Sequence, residues 1–536
     1  MKHDSMCEKN FTNVKWGRKV GAVMPDILEI KNLTKIYPGG VLANYNISFS
    51  VREGEIHALV GENGAGKSTL MKMLFGMEEI TDGEIYFKGK KVNFSSSKEA
   101  IENGIGMVHQ HFMLVPSLTV AENLTLGVEK HKGILVDKKQ CIRDTEEIAK
   151  KYGFRVDAGK KVRDIGIEMK QKLEILKVLY RGAKVIILDE PTAVLTPQET
   201  EELFEQLLNL KKQGFTIIFI SHKLNEVKYL CDRLTVLKSG RSIGTYDVDA
   251  LSEEEISRLM VGRDVTLKYQ KKELSPKEVR LKVEDIAYTD RFGTKILDGV
   301  SFKLKDSEIL GIAGVEGNGQ SEIVEVIAGL INADSGKVYF KDKDITNASI
   351  AERRKSGIAH VAEDRMTTGC APELSVQENV ISVTVDDFAG KAGILNQKQV
   401  RDYTDMLIND FKVKTKDGKQ KLKALSGGNI QKAIVAREFQ TESDVLLINQ
   451  PTRGVDVGAI ELIHQKVLEK REQGKAILLV SADLSELIGL SDRILVFYKG
   501  KVVGHVKDVS KITEQDLGLY MLGLKQDSVE ELKEVL

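Results

Sequence analysis

Residues 61–68, Gly-Glu-Asn-Gly-Ala-Gly-Lys-Ser, and residues 314–321, Gly-Val-Glu-Gly-Asn-Gly-Gln-Ser, are one glycine-rich turn written twice, with a lysine in the first copy only. Nothing else in the chain restricts its fold so sharply. Ile56 to Val60 reads as a short buried strand before the first turn, and Ser68-Thr69-Leu70-Met71 opens a helix after it. In such a strand–turn–helix, the glycines let successive backbone N–H groups converge on one anion, and the helix N-terminus adds its dipole. At the spacing G-x-x-x-x-G-K-S, Lys67 reaches the outer phosphates of a nucleotide and the Ser68 hydroxyl meets its Mg²⁺.

The repetition extends well beyond the turn. Ile47-Ser48-Phe49 returns as Val300-Ser301-Phe302, the stretch Thr81 to Phe87 as Ala333 to Phe340, and Gly104-Ile105 as Gly357-Ile358. Pro191-Thr192 returns as Pro451-Thr452 and Ser221 as Ser481. Both copies alternate strand-like runs with amphipathic helical stretches, the pattern of layered α/β domains. The expected division is a first domain at 24–262, a linker at 263–278, a second domain at 279–524 and an acidic tail at 525–536 whose segment 528–533 reads as a solvated helix.

Composition narrows the function classes. The chain has 79 basic and 79 acidic side chains, so no global field draws it to nucleic acid or to an acidic membrane. No apolar run approaches the ~18 residues of a transmembrane helix. The four cysteines lack C-x-x-C spacing, which argues against a zinc site or a disulfide framework and fits a reducing compartment. Residues 1–23 contain the single tryptophan, Trp16, and no apolar signal segment. They are open to two readings: a translated leader before a natural start at Met24, or a disordered tail.

Further polar residues stand at ends of apolar strands. Gln110 follows Met107-Val108-His109, and Val185 to Leu188 run into Asp189-Glu190. A strand ending in Asp-Glu suits phosphoryl transfer to water, with Asp189 toward the metal and Glu190 toward the attacking water. His222 ends another strand, where it can meet the γ-phosphate, and Leu425-Ser426-Gly427-Gly428-Asn429 opens a helix as a second glycine-rich anion site. His109 and His111 flank Gln110 without metal-ligand partners.

This ordered set resembles the ATP-binding cassette (ABC) ATPases over nearly all of residues 24–524. The resemblance implies two tandem P-loop nucleotide-binding domains, each with a RecA-like core, an antiparallel β subdomain and a helical subdomain. It identifies Gly61, Glu62, Asn63, Gly64, Ala65, Gly66, Lys67, Ser68 and Thr69 as the phosphate loop, and Tyr37 as the ring on which adenine stacks. Ser68, Gln110 and Asp189 become the Mg²⁺ residues, and Glu190, His222 and Gln110 the catalytic ones. Ser426, Gly427, Gly428 and Asn429 become the signature, with Asp456 in the neighbouring loop 453–456. Two fused cassettes without membrane spans look like the ATPase subunit of sugar-type importers. Met107–Gly127 and Leu188–Glu199 look most like the nucleoside-importing branch. Such a subunit works at the cytoplasmic face of the membrane with two integral-membrane permeases, and through them with an extracytoplasmic binding protein. The coupling region is expected after Gln110, where His111 to Pro116 is apolar for a surface loop. The alternative class is a soluble tandem ABC protein on ribosomes or nucleic acid, which generally keeps two intact sites and a long charged linker.

In the family's head-to-tail arrangement, each site pairs the phosphate loop of one copy with the signature of the other. Every element of the first site is present. The second has Gln320 for the lysine, Glu363 for Gln110, Asn449-Gln450 for Asp-Glu and Ala482 for the histidine. The signature facing it reads Ile165-Gly166-Ile167-Glu168-Met169, with a carboxylate at a glycine position beside the phosphates, and the loop 193–196 has no aspartate. The losses fall on one composite site and spare the other, which random decay would not do. The second site is therefore expected to hydrolyse ATP negligibly.

Overall fold

The structure, a computed structural model, describes residues 25–38, 40–110, 112–133, 135–262, 271–390 and 393–533. The two readings of residues 1–23, His111 of the apolar loop, and the first half of the linker lie outside them.

Each copy is built on a six-stranded sheet. In the first copy its order is Arg241–Asp247, Arg233–Lys238, Ile56–Gly61, Thr216–Ile220, Val185–Asp189, Ile105–Val108, all parallel except the antiparallel edge strand Arg241–Asp247. The strands Ile56–Gly61, Val185–Asp189 and Thr216–Ile220 are buried at every position, because continuous apolar runs suit a parallel sheet covered on both faces. Alternation then divides two cores. Leu59 and Ile187 face one, with Met71, while Val60 and Leu188 face the other, with Phe219.

The first core is closed by a four-stranded antiparallel sheet formed by Asp26–Tyr37, Val41–Arg52, Asp82–Phe87 and Lys90–Val92. The second is closed by helices, among them Lys138–Tyr152 and Ile167–Tyr180. The second copy repeats this plan, with the sheet order Ile358–Val361, Val445–Asn449, Ala476–Val480, Ile309–Ala313, Arg493–Tyr498, Lys501–Val506. The antiparallel sheet of this copy begins at Val279, and the last helix of the first copy ends at Val261.

The parallel strands place Gly61, Asp189, Ser221 and the residues after Val108 at one edge, the carboxyl end, where ligands of open α/β sheets bind. Local sequence fixes the entry to the helix behind Asp189-Glu190. Thr196 and Glu199 form a capping box and Pro197 starts the helix Pro197–Lys212. In the second copy Asp456 caps the helix Val457–Glu472 through the Ala459 N–H at 2.9 Å.

The copies touch. The helix Glu514–Met521 of the second lies on Pro197–Lys212 of the first, where Gln198 Nε2 donates to the Gln515 carbonyl at 2.8 Å. The described end of the linker is tied to the second copy: Lys272 pairs with Glu472 at 2.6 Å, and Arg471 donates to the Lys272 carbonyl at 2.9 Å. The helix Val529–Lys533 in the tail begins on exposed residues.

Candidate functional site

The turn 61–66 depends on glycine at two points. Gly64 and Gly66 have φ of 83° and 93°, and a Cβ on Gly66 would meet Asn44 and, at 2.7 Å, the Ala43 carbonyl. Lys67 begins the helix Lys67–Leu74 and is buried, its ammonium folded over the turn to donate to the Gly61 and Glu62 carbonyls at 2.7 and 3.0 Å. Burial pushes its pKa down, against the opposing charges of Glu190, Asp189 and Glu62. Beside it the Ser68 hydroxyl lies 3.4 Å from Asp189 Oδ2. A hydroxyl and a carboxylate at that separation are oxygen donors suited to Mg²⁺, so the residues present fit the ion.

Asp189 and Glu190 differ although adjacent. Burial pushes the Asp189 carboxyl up, and the charge of Glu190 adds to this. Burial also raises Glu190, but the hydrogen bond and charge of His222, followed by Lys67, bring it below the ordinary carboxylate range. His222 Nδ1 is 3.0 Å from Glu190 Oε1, and Gln110 Nε2 donates to Oε2 at 2.9 Å. Two residues from two other strand ends thus converge on the Glu190 carboxylate. Glu190 itself has φ of 47°, a left-handed conformation uncommon for a side chain of its size, which turns the carboxyl toward Gln110 and His222.

The second copy keeps the backbone and changes the chemistry. Gln320 is buried like Lys67 and donates to the Val315 carbonyl at 3.1 Å. Gln450 repeats the left-handed conformation with φ of 50°, but its amide oxygen accepts from the Ala482 N–H at 3.0 Å. The Ser321 hydroxyl donates to Glu363 at 2.6 Å and receives Asn449 Nδ2 at 3.2 Å, and Arg453 pairs with Glu363 at 2.7 Å. Where the first copy brings a hydroxyl to an aspartate, the second closes a network of its own side chains.

Across the copies, Asn63 Nδ2 donates to the Val455 carbonyl at 2.7 Å. Asp456 lies near enough to raise the Glu62 carboxyl after burial, and a Cβ on Gly428 would fall 2.5 Å from Asp456. The loop 453–456 therefore lies between the first phosphate loop and the signature helix Gly427–Phe439. Ser426 and Asn429 are held within their own copy, where Asn429 donates to Ser426 at 2.8 Å and accepts from the Lys414 N–H at 2.8 Å. Tyr37 ends the strand Asp26–Tyr37 with the Lys35 ammonium 5.0 Å from its ring centre. Glu168, on the other signature, is engaged by Lys172 one turn along its helix. Met113 and Val115 of the apolar loop are exposed.

A family profile described as ABC transporter matches residues 45–193 and again residues 297–453. The chain belongs to the ABC transporter family. Its two halves are tandem ABC nucleotide-binding domains, and it is an ABC-type ATPase. It is 44% identical to the guanosine import ATP-binding protein NupO of Bacillus subtilis, over 94% of this chain and 98% of that protein. It is 42% identical to the nucleoside import ATP-binding protein NupA of Lactococcus lactis, over 93% of this chain and 98% of that protein. The glucose import ATP-binding protein TsgD13 of Haloferax volcanii is also 42% identical, over 92% and 96%. These relatives place the chain with the ABC importer ATPases rather than with ribosome- or nucleic-acid-acting tandem proteins. Among the described residues no helix is long and apolar enough to cross a membrane.

Gln110, Glu190 and His222, singled out in the sequence, are brought together in the structure; the residues that hold the loop 453–456 were not singled out. Arg365 donates to the carbonyls of Arg453 and Gly454 at 2.9 and 3.4 Å, and no motif marked it.

Proposed function

We propose that the chain is the ATP-hydrolysing subunit of an importer for nucleosides, with domains at 24–262 and 279–524 and one competent site at the first phosphate loop. The observation that carries this reading is the carboxylate of Glu190, held between Gln110 and His222 beside Lys67, against Gln450 at the same strained position in the second copy. Two integral-membrane permeases and, through them, an extracytoplasmic binding protein complete the assembly at the cytoplasmic face.

Each residue then has a task. The turn 61–66 and Lys67 hold the β- and γ-phosphates, which draws the ammonium off the two carbonyls it now meets. Mg²⁺, when bound by Ser68, Gln110 and Asp189, offsets charge on the phosphates. Glu190, kept ionised by His222, orients the attacking water by accepting its hydrogen bond. The water oxygen bonds to the γ-phosphorus, the proton it gives up passes by way of the Glu190 carboxylate to the departing phosphate or to solvent, the bond to the ADP oxygen breaks, and phosphate leaves. Tyr37 stacks on adenine. Ser426, Gly427, Gly428, Asn429 and Asp456 close the site from the second copy, so ATP clamps the copies together and product release parts them. The exposed Met113 and Val115 belong to the surface that meets a permease.

Nucleosides are favoured over simple sugars by the names of two relatives and by the segments 107–127 and 188–199. The test is uptake into proteoliposomes holding this chain with its permeases and binding protein. Labelled guanosine should enter with ATP and stop with Glu190→Gln. Uptake of glucose without any nucleoside would overturn the substrate assignment, and near-normal ATPase activity in E190Q would overturn the site.

A further inference from the structure

Glu363 occupies in the second copy the place of Gln110 in the first. One of its oxygens receives the Ser321 hydroxyl at 2.6 Å and the other the Arg453 guanidinium at 2.7 Å. Two residues on, Arg365 donates to the Arg453 and Gly454 carbonyls, and its guanidinium lies against the signature: a Cβ on Gly427 would fall 2.9 Å from its Nη2. The same loop goes on to Val455, which accepts from Asn63 of the first phosphate loop, and to Asp456, which lies against Gly428. A continuous set of contacts thus runs from the P-loop serine of the second copy, through 453–456, to the P-loop of the first.

The first copy has no such chemistry. At the positions of Glu363, Arg365, Arg453 and Gly454 it has Gln110, Phe112, Ala193 and Val194. Phe112 has no donor for a carbonyl, and Ala193 has no charge for a carboxylate. Among the described residues, this ionic support stands beneath the loop that faces the first site.

We infer that Glu363 and Arg365 are positioning residues for hydrolysis at the first site, and that the second copy's altered nucleotide pocket serves as the brace of the loop 453–456 and the signature. The inference rests on the assignment of the first site as the competent one. A guanidinium suits the task because Nη1 donates to both carbonyls while Nη2 of the same rigid plane rests on Gly427, so loop and signature are held at a fixed distance that an ammonium on a flexible stem does not set. The loop touches the closing face of the site rather than the reacting atoms, so loosening it acts on the geometry of the closed state.

The experiment measures steady-state ATPase of the full chain, with binding of a fluorescent ATP analogue and thermal unfolding in parallel. Arg365→Ala should lower kcat about tenfold while KM and analogue affinity stay within about twofold. R365K should recover part of the loss, and Glu363→Gln should lower kcat by about threefold. A double-mutant cycle of R365A with Asn63→Ala should be non-additive, because both substitutions release the same loop. If R365A does not fold, R365K and E363Q carry the same comparison. A kcat within twofold of wild type in the folded Arg365 and Glu363 variants, or strict additivity with N63A, overturns the brace. E190Q run alongside separates the two readings. If it is inactive while the Arg365 variants are normal, the brace alone fails; if it turns over normally, the site assignment fails and the brace with it.

Discussion

The two phosphate loops have almost the same backbone and different contents. In the first, a buried ammonium is held on the Gly61 and Glu62 carbonyls, and a hydroxyl and a carboxylate stand 3.4 Å apart beside it. In the second, a neutral amide bonds to Val315 and the corresponding hydroxyl is already engaged by Glu363 and Asn449. A nucleotide triphosphate entering the first loop gains a cation. Entering the second it gains none from Gln320 and must break hydrogen bonds that satisfy one another. The difference separates two properties that a P-loop normally combines, a shape that positions neighbouring elements and a charge that does chemistry. The second copy has kept the shape.

The largest effect should come from the carboxylate. Glu190→Gln is expected to lower turnover by about 10²- to 10⁴-fold, whereas Gln450→Ala should leave it within about twofold. Single-turnover hydrolysis on both variants checks this, and an equal loss in the two would break the comparison. The cation comes next. Lys67→Ala should cost about 10²-fold or more in turnover, and Gln320→Ala should cost little, as read by the same assay with ATP titrated. The contact between copies is smaller. Asn63→Ala removes one hydrogen bond to Val455 of roughly 1 kcal/mol, so about a fivefold fall in kcat/KM is expected; an unchanged value would show that the loop is held without it.

The smallest effect lies on stability. His360 in the second copy stands where the first has Met107. Burial brings its pKa down from 6.5 to about 4, against Glu438 and with Arg354 and Arg437 adding to the fall. The unfolded chain therefore binds this proton first, and stability is lost as pH falls from about 6.5 toward about 4. His360→Met should reduce the fall in Tm between pH 7 and pH 5. An unchanged slope would place the acid sensitivity elsewhere.

Much of this was legible in the residues. A short, β-branched apolar run such as Val185 to Leu188 reads as a covered strand, and Asp189-Glu190 after it stands at the strand's carboxyl end. Gln110, Glu190 and His222 were each identifiable because each ends a parallel strand, and the sheet order carries all three to one edge. What the sequence did not disclose was pairing between side chains distant along it. Glu363 was visible only as a missing glutamine, since nothing local says that Arg453 will neutralise it. Arg365 bonds to carbonyls, which carry no residue code. Glu168 could have been read better: Lys172 four residues on is an ordinary helical partner, and it engages the carboxylate expected beside the phosphates.

The linker held on Arg471 and Glu472 has a consequence for how such asymmetry arises. Two identical subunits forming a pair would carry every substitution into both sites at once, so losing a lysine would silence the whole machine. Here both halves come from one chain in a fixed one-to-one ratio, and each meets its counterpart at an effective concentration set by the tether rather than by expression level. Turnover per chain should thus be independent of dilution, and each half is free to diverge without taking the other with it.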